Sequence, residues 1–473
     1  MTHTKIICTI GPRTQTVDAI RALVDAGMDV ARLNGSHNVL DWHAEVIARL
    51  RKAAPHVPIL LDIPGRKIRT AALAHEPCFE AGEIVVLTTD ASYDGREKVP
   101  VNYPMLHKDL RAGDTVLADD GTLRFTVETI DGVDIRCRSE ISGTLKSRKG
   151  INVPFVKLQT PLISDRDVGM IDFAREHGVD FVGISFVESA AHVDAIRELV
   201  KDRPRIVSKI ENQFGMDHME EIIAASDAVM IDRGDLSVET NLESLSLFQK
   251  RIIAAAERAA KPVIVATEML HNMIASPVPT KAEVSDISNA VLDGCAATML
   301  SGETAIGNFP YDAVRTMRRI TDTVARFEKG DNGKGGPKMA VPDAVAQAIK
   351  IMCGSLPITK IVAVTRSGYA ARTISALRPS QPILAISDDA YSARSFNLLA
   401  GVEGIHLDVA FSRTSTDHII GCIEQLWRLG KLVDSDMILV TAVSYPRSGN
   451  RMNLLQTHLV SDLIETLKWR PRN

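Results

Sequence analysis

The chain has 473 residues, enough for two to four domains, with 45% apolar residues and a formal charge of −4. It carries no basic stripe interleaved with aromatics, which make up only 4%, and this excludes nucleic acid as a partner. No run is apolar and long enough to span a membrane, MTHTKIICTIGPR has no signal-peptide pattern, and six scattered cysteines without a C-x-x-C pair argue for a reducing, cytoplasmic compartment and against a disulfide framework or zinc site.

Short Val/Ile-rich runs predict strands at 5–9, 29–33, 57–62, 180–186, 205–210, 227–231, 262–266 and 296–301. They are continuously apolar rather than alternating, as parallel strands buried on both faces are. Helical patterns separate most of them. Val17, Ile20, Leu23 and Val24 predict a helix over Val17–Ala26, and Ser164-x-x-Asp167 is a capping-box pattern opening another that ends before Gly178. Eight strands with intervening helices predict an α/β fold, a (β/α)8 barrel, over 1–71 and 155–328. After the third strand, 72–154 is rich in short strands and turns, with Asp-Gly pairs at Asp94, Asp120 and Asp131. That is hairpin chemistry and predicts an inserted all-β lid domain. KGDNGKGGPK (Lys329–Lys338) predicts a linker over 329–339. Beyond it, strands near 360–365, 382–387, 404–409, 436–441 and 457–461 predict a separate α/β domain over 340–473.

In a barrel the working residues come from the carboxyl ends of the strands. Read in order, those ends offer Arg32, Asn34, Ser36 and His37; Asp62, Lys67 and Arg69; Lys209 and Glu211; Arg233, Gly234 and Asp235; Thr267 and Glu268; Ser301 and Glu303. Singly, each has an ordinary reading as a solvated charge or a cap. Together they converge on one cleft. Glu211 and Asp235 on adjacent strands suit Mg²⁺ or Mn²⁺. Lys209, two residues before Glu211, faces the same way and suits charge developing on a phosphoryl group or enolate. Arg32 and Arg69 suit a phosphate, and the backbone N–H groups around Gly234 suit a carboxylate. The set points to a small phosphorylated carboxylic acid bound beside a divalent metal.

The strings TKIICTIGP (Thr4–Pro12), AGMDVARLNGSH (Ala26–His37), SKIEN (Ser208–Asn212), RGDL (Arg233–Leu236), VATEML (Val265–Leu270), PTKAEVSDISNAVLDG (Pro279–Gly294) and MLSGET (Met299–Thr304) resemble, in order, those of the pyruvate kinase family. The resemblance runs the whole chain. It implies transfer of the phosphoryl group of phosphoenolpyruvate to ADP, giving pyruvate and ATP. It implies that Lys209 stabilises the transferring phosphoryl, that Glu211 and Asp235 bind the metal, and that Arg32 holds the substrate phosphate. Gly234, Asp235 and Thr267 then contact the substrate carboxylate and reacting carbon, with Thr267 on the proton-delivery side. Asn34, Ser36, His37 and Arg69 resemble nucleotide-side contacts. KSRKGINVP (Lys146–Pro154) supplies a nucleotide-binding Lys149, and LADDG (Leu117–Gly121) an Asp119 or Asp120 for the nucleotide's metal. A homotetramer is also implied. Two other readings stand beside this one: a catalytically weak paralogue acting as a sugar-phosphate sensor, and a Mg²⁺-dependent barrel lyase on a 2-oxo acid.

The chain departs from the family at LLDIPGRKIRT (Leu60–Thr70), where L-D-T-K-G-P-E-I-R-T is usual. The usual acid helps to hold an activating K⁺, whose other ligands match Asn34, Ser36, Asp62 and the carbonyl of Ile63. Here that acid is Lys67. A tethered ammonium offers three donors for the same oxygens, so Lys67 is expected to replace K⁺ and remove the requirement for it. Gly35 stands where Phe is usual, which is expected to loosen the loop, and Asp232 stands where a small residue is usual. In the last domain, Thr365, Ser367 and Gly368 within VTRSGYAAR, with the loop Ser444–Asn453, match a region that in the family holds an activating sugar phosphate; Tyr369 occupies a position that is often basic.

Overall fold

The structure, a computed structural model, describes residues 4–65, 67–119, 121–327, 340–412, 415–443 and 452–470. The eight apolar runs become Lys5–Thr9, Val30–Asn34, Ile59–Ile63, Phe181–Ile184, Arg205–Ile210, Ala228–Asp232, Val263–Ala266 and Ala297–Leu300, which pair in parallel and in sequence order to close a barrel. Only Asn34 and Arg205 among these residues are not buried. The strands are continuously apolar because both faces are covered. Ile7, Val30, Leu60, Val207, Met230, Ile264 and Met299 fill the barrel interior, while their alternating neighbours pack against the helices outside. The helix Val17–Ala26 forms as expected, with the Thr16 hydroxyl accepting the Ala19 N–H. Ser164 and Asp167 form the reciprocal capping box.

The chain leaves the barrel after the third strand to build a seven-stranded sheet with its own core around Phe79, Phe125 and Val127. This sheet starts earlier than the expected 72. Ile68–Arg69 already pairs with Gly150–Asn152, so the insertion is tied shut by its own two ends. The Asp131-Gly132 turn closes a hairpin between Leu123–Asp131 and Asp134–Ser139.

The last unit is a five-stranded sheet ordered Val402–His406, Ile383–Ser387, Lys360–Val364, Met437–Ala442 and Leu454–Leu459, the final strand running antiparallel to its neighbour. It reaches into the barrel. Leu398 joins the interior cluster at the barrel floor, the Tyr391 hydroxyl donates to the Asp180 carbonyl (3.0 Å), and Arg394 pairs with the Asp180 carboxylate (3.0 Å). The expected linker 329–339, Asp120, and residues 444–451 of the Ser444–Asn453 loop lie outside the described residues. No helix of the described residues is long and apolar enough to cross a membrane.

Candidate active site

The carboxyl ends of strands two to seven meet at one mouth of the barrel, and the side chains there are a packed ionic lattice. Lys209, on the fifth strand, is buried at 5% exposure. Its ammonium lies 2.8 Å from Glu211 Oε1, 3.1 Å from Asp232 Oδ2 and 3.4 Å from Asp62 Oδ2, and donates to the Ser185 hydroxyl at 3.2 Å. Burial alone would lower its hold on the proton. The charges of Asp62, Glu211 and Asp232 outweigh that and hold Lys209 well above the ordinary lysine range, against a smaller push from Arg32. Arg32, on the second strand, meets Asp62 Oδ2 at 2.5 Å and Thr9 Oγ1 at 3.2 Å, while its Nε is buried with no partner among the described residues.

Glu211, Asp232 and Asp235 are a group whose ligand oxygens lie within 4.8 Å of one another. Burial pushes the Glu211 carboxyl up to about 8, Lys209 opposes this, and Asp232 and Asp235 add to it. Asp232 is held below the usual carboxylate range: Lys209, Lys67 and Arg32 overcome the burial that would raise it. Near Lys209, Lys67 and Arg32 stand four carboxylates, those of Asp62, Glu211, Asp232 and Asp235. Three hard oxygen donors and a buried Asp62 Oδ1 without a partner among the described residues fit a divalent cation. Asp232, expected as a departure that adds negative charge near the metal, lies within the group. It ends the sixth strand one residue before Arg233-Gly234-Asp235, and that position was the signal for a third ligand.

Lys67 does not reach the oxygens expected of it. Its ammonium sits 2.5 Å from Asp235 Oδ1, not on Asn34, Ser36, Asp62 or the Ile63 carbonyl. Two of those groups have other partners. Asn34 Oδ1 accepts the Ser36 N–H (3.1 Å), and the Ile63 carbonyl accepts the Ser185 hydroxyl (2.9 Å). The ammonium lies in the combined field of Asp235, Glu211 and Asp232. Burial would depress Lys67, but Asp235, helped by Glu211 and Asp232, holds it above the ordinary lysine range.

At the seventh strand Thr267 adopts φ 70° and Glu268 φ 54°, left-handed conformations that cost a β-branched residue about 1–2 kcal/mol. Arg233 braces that turn, donating to the Thr267 carbonyl (2.9 Å) while pairing with Asp286 (2.7 Å). Thr267 Oγ1 accepts the Gly234 N–H at 2.7 Å and donates to the Ala266 carbonyl at 2.6 Å. The Gly234 N–H is therefore already taken. Glu303 caps the next turn, accepting the Leu270 N–H (3.0 Å) and the Ser301 N–H (2.7 Å).

Gly35 is not a loosening residue. It is buried, its N–H donates to the Asp62 carbonyl (2.8 Å), and a Cβ there would fall 2.7 Å from that carbonyl oxygen and 2.1 Å from Met170 Cε. His37 is held below the ordinary histidine range by burial and by the cations Arg69 and Arg32. Above the mouth, Lys149 pairs with Asp119 at 2.6 Å, and its backbone exchanges 2.9 Å hydrogen bonds with Thr70. Arg69 donates to the Arg148 carbonyl (3.2 Å). Glu239 and Asn152, both missed by sequence reasoning, join across the junction at 2.7 Å. In the last unit, Thr365 Oγ1 accepts the Gly368 N–H (3.1 Å) and the Ser367 carbonyl accepts from Arg372 (2.9 Å).

Comparison with known proteins bears on this arrangement. The pattern described as pyruvate kinase, barrel domain, matches residues 1–314, and that described as pyruvate kinase, alpha/beta domain, matches 343–458. The chain is 37% identical to the pyruvate kinase of Bacillus licheniformis, over 98% of this chain and 81% of that protein. It is also 37% identical to that of Mycobacterium tuberculosis (strain CDC 1551 / Oshkosh), over 97% of this chain and 98% of that protein. The crystal structure of a pyruvate kinase from Cryptosporidium parvum superimposes with a TM-score of 0.88 at 34% identity, covering 97% of this chain and 96% of that one. With both the barrel and the terminal α/β unit matched, the chain belongs to the pyruvate kinase family and is a phosphotransferase.

Proposed function

We propose that the chain transfers the phosphoryl group of phosphoenolpyruvate to ADP at the barrel mouth, yielding pyruvate and ATP in glycolysis, without requiring K⁺. The observation that carries this reading is the buried Lys209 ammonium, held charged within 3.4 Å of Asp62, Glu211 and Asp232 beside Arg32. An oxygen of the ADP β-phosphate attacks phosphorus. The bond from phosphorus to the C2 oxygen breaks, and its electron pair stays on oxygen as an enolate. A proton delivered to C3 then gives pyruvate. Lys209 meets the charge developing on the phosphoryl oxygens and enolate. Arg32, whose Nε is buried without a partner, takes a phosphate oxygen. Thr267 stands at the reacting carbon with its hydroxyl oriented by Gly234 and Ala266.

Glu211 and Asp235, with Asp232 beside them, would hold Mg²⁺ or Mn²⁺. Bound there, the metal would supply positive charge to the oxygens of the substrate. Lys67 provides the fixed charge that a monovalent cation otherwise brings, delivered through Asp235 rather than through the oxygens of Asn34, Ser36, Asp62 and Ile63. The insertion 72–154 works as a lid between the barrel (1–71 and 155–328) and the nucleotide. Lys149 and Asp119 exchange their mutual contact for the nucleotide and its metal, and Asn34, Ser36, His37 and Arg69 line the nucleotide side. Thr365, Ser367 and Gly368 of the terminal unit (340–473) present an anion-binding turn to a sugar-phosphate effector, and the chain assembles as a homotetramer.

The test is pyruvate formation from phosphoenolpyruvate and ADP, coupled to lactate dehydrogenase, with Mg²⁺ in tetramethylammonium buffer. Turnover there supports the reading. Absence of ADP-dependent pyruvate formation with either metal overturns it.

A further inference from the structure

At the opposite end of the barrel from the catalytic mouth, a cleft of about 170 Å³ opens between the barrel floor and the terminal unit. Lys261, just before the seventh strand, lines its barrel side. Arg372 and Arg378 line the other, from the helix Tyr369–Ala376 and the residues after it. Among the described residues neither Lys261 nor Arg378 pairs with a carboxylate. Lys261 donates to the Ser226 carbonyl, and Arg378 Nη2 to the Cys295 carbonyl at 2.6 Å. Arg378 Nη1 is buried with no hydrogen-bond partner among the described residues. An adjoining crevice shares Arg372 and adds Asp227 and Arg205, whose Nε is likewise buried and without a partner among the described residues. A buried guanidinium nitrogen with an unused donor, as Arg378 has in the cleft and Arg205 in the crevice beside it, costs free energy unless an acceptor completes it. Burial holds Lys261 below the ordinary lysine range; Asp227 opposes this, and Arg372, Arg197 and Arg205 add to it.

We propose that this cleft binds a small phosphate monoester that bridges the barrel floor and the terminal unit, at a site separate from both the mouth and the Thr365–Gly368 turn. Guanidinium forks match phosphate oxygens in pairs, which an isolated ammonium does not. Glu257, Asp293 and Ser375 also line the cleft and offer acceptors to the hydroxyl groups of an ester, which free phosphate lacks. The volume is below the roughly 300–1,000 Å³ of sites for drug-sized ligands, so the occupant is compact. Arg372 ties the cleft to the turn, because it donates to the Ser367 carbonyl. An occupant drawing on Arg372 therefore couples the barrel floor to that turn.

Titration calorimetry of the whole chain with glycerol 3-phosphate and, separately, inorganic phosphate tests this. The ester is expected to bind more tightly than phosphate. Arg378→Met and Lys261→Met each weaken the ester about tenfold, Lys261→Arg retains it, and Arg32→Met and Thr365→Ala leave it unchanged. Unchanged affinity in both methionine variants overturns the proposal, as does loss of binding in Arg32→Met, which places the ester at the mouth. Phosphate binding as tightly as the ester overturns the ester assignment. Should the methionine variants fail to fold, crystals of the unaltered chain soaked in glycerol 3-phosphate decide: density in the cleft supports the proposal and an empty cleft overturns it.

Discussion

Lys67 Nζ lies 2.5 Å from Asp235 Oδ1, joining the root of the insertion to the helix that begins after the sixth barrel strand. Each is mostly buried, so the pair is screened little by solvent and its charge acts on Glu211 and Asp232. The rate in tetramethylammonium buffer is therefore expected to be unchanged by KCl. Lys67→Met is expected to lower kcat about 100-fold, the cost of one missing charged donor in such a site. In Lys67→Glu, KCl restores part of the lost rate. Strong K⁺ activation of the unaltered enzyme in the coupled assay would falsify the role given to Lys67.

Glu239 makes stability depend on pH. Burial, with Asp235 and Glu188 adding to it and Asn152 and Lys67 opposing, raises its carboxyl from 4.5 to about 7. Between those values the folded chain holds a proton that the unfolded chain has released. This group's contribution to stability is therefore full below pH 4.5 and lost as pH rises through about 7. Glu239→Gln, which stays neutral, is expected to gain about 3 kcal/mol over the unaltered chain at pH 8 and almost nothing at pH 4.5. Urea unfolding at the two pH values measures the difference, and an equal effect at both contradicts it.

Gly35 is fixed by its neighbours. Met170 can move away from a new Cβ, but the Asp62 carbonyl is held in the barrel. Gly35→Ala is expected to cost about 1–3 kcal/mol through that overlap. Because Asp62 contacts Arg32 and Lys209, it should also raise KM for phosphoenolpyruvate. Urea midpoints and steady-state kinetics check both effects. A variant as stable and active as the original contradicts the packing argument.

Lys149→Met separates the two substrates. The side chain stands 39% exposed above the mouth and touches Asp119, away from the Lys209 lattice. KM for ADP is expected to rise about tenfold, the loss of one charged contact, with KM for phosphoenolpyruvate unchanged. Equal rises in both constants would place Lys149 elsewhere in the mechanism.

Leu398 closes the barrel from below as part of a cluster with Ile7, Leu60 and Met230. Leu398→Ala is expected to cost about 2–5 kcal/mol as a cavity. Both KM values should hold, because the mouth lies at the far end of the strands. A denaturant series with parallel kinetics tests it, and an undiminished urea midpoint counts against the packing.

What the sequence determined by itself was everything that depends on local pattern. A strand buried on both faces must be continuously apolar, so eight such runs announced eight barrel strands, and the end of each showed which charges face the mouth. Asp-Gly turns marked the insertion for the same local reason, although its first strand, Ile68–Arg69, was hidden because its partner, Gly150–Asn152, lies far along the chain. Partners across space were decided only by the tertiary structure. Lys67 was legible as a misplaced cation, but its pairing with Asp235, in the combined field of Asp235, Glu211 and Asp232, depends on two strands and a helix start meeting in space. Gly35 carried a signal of freedom until Asp62 and Met170 were placed against it. Arg372 and Arg378 look like ordinary helix-end cations until the terminal unit is set under the barrel floor. There Arg372 and Arg378 stand on one wall and Lys261 on the other wall of a single cleft, a juxtaposition that no window of sequence contains.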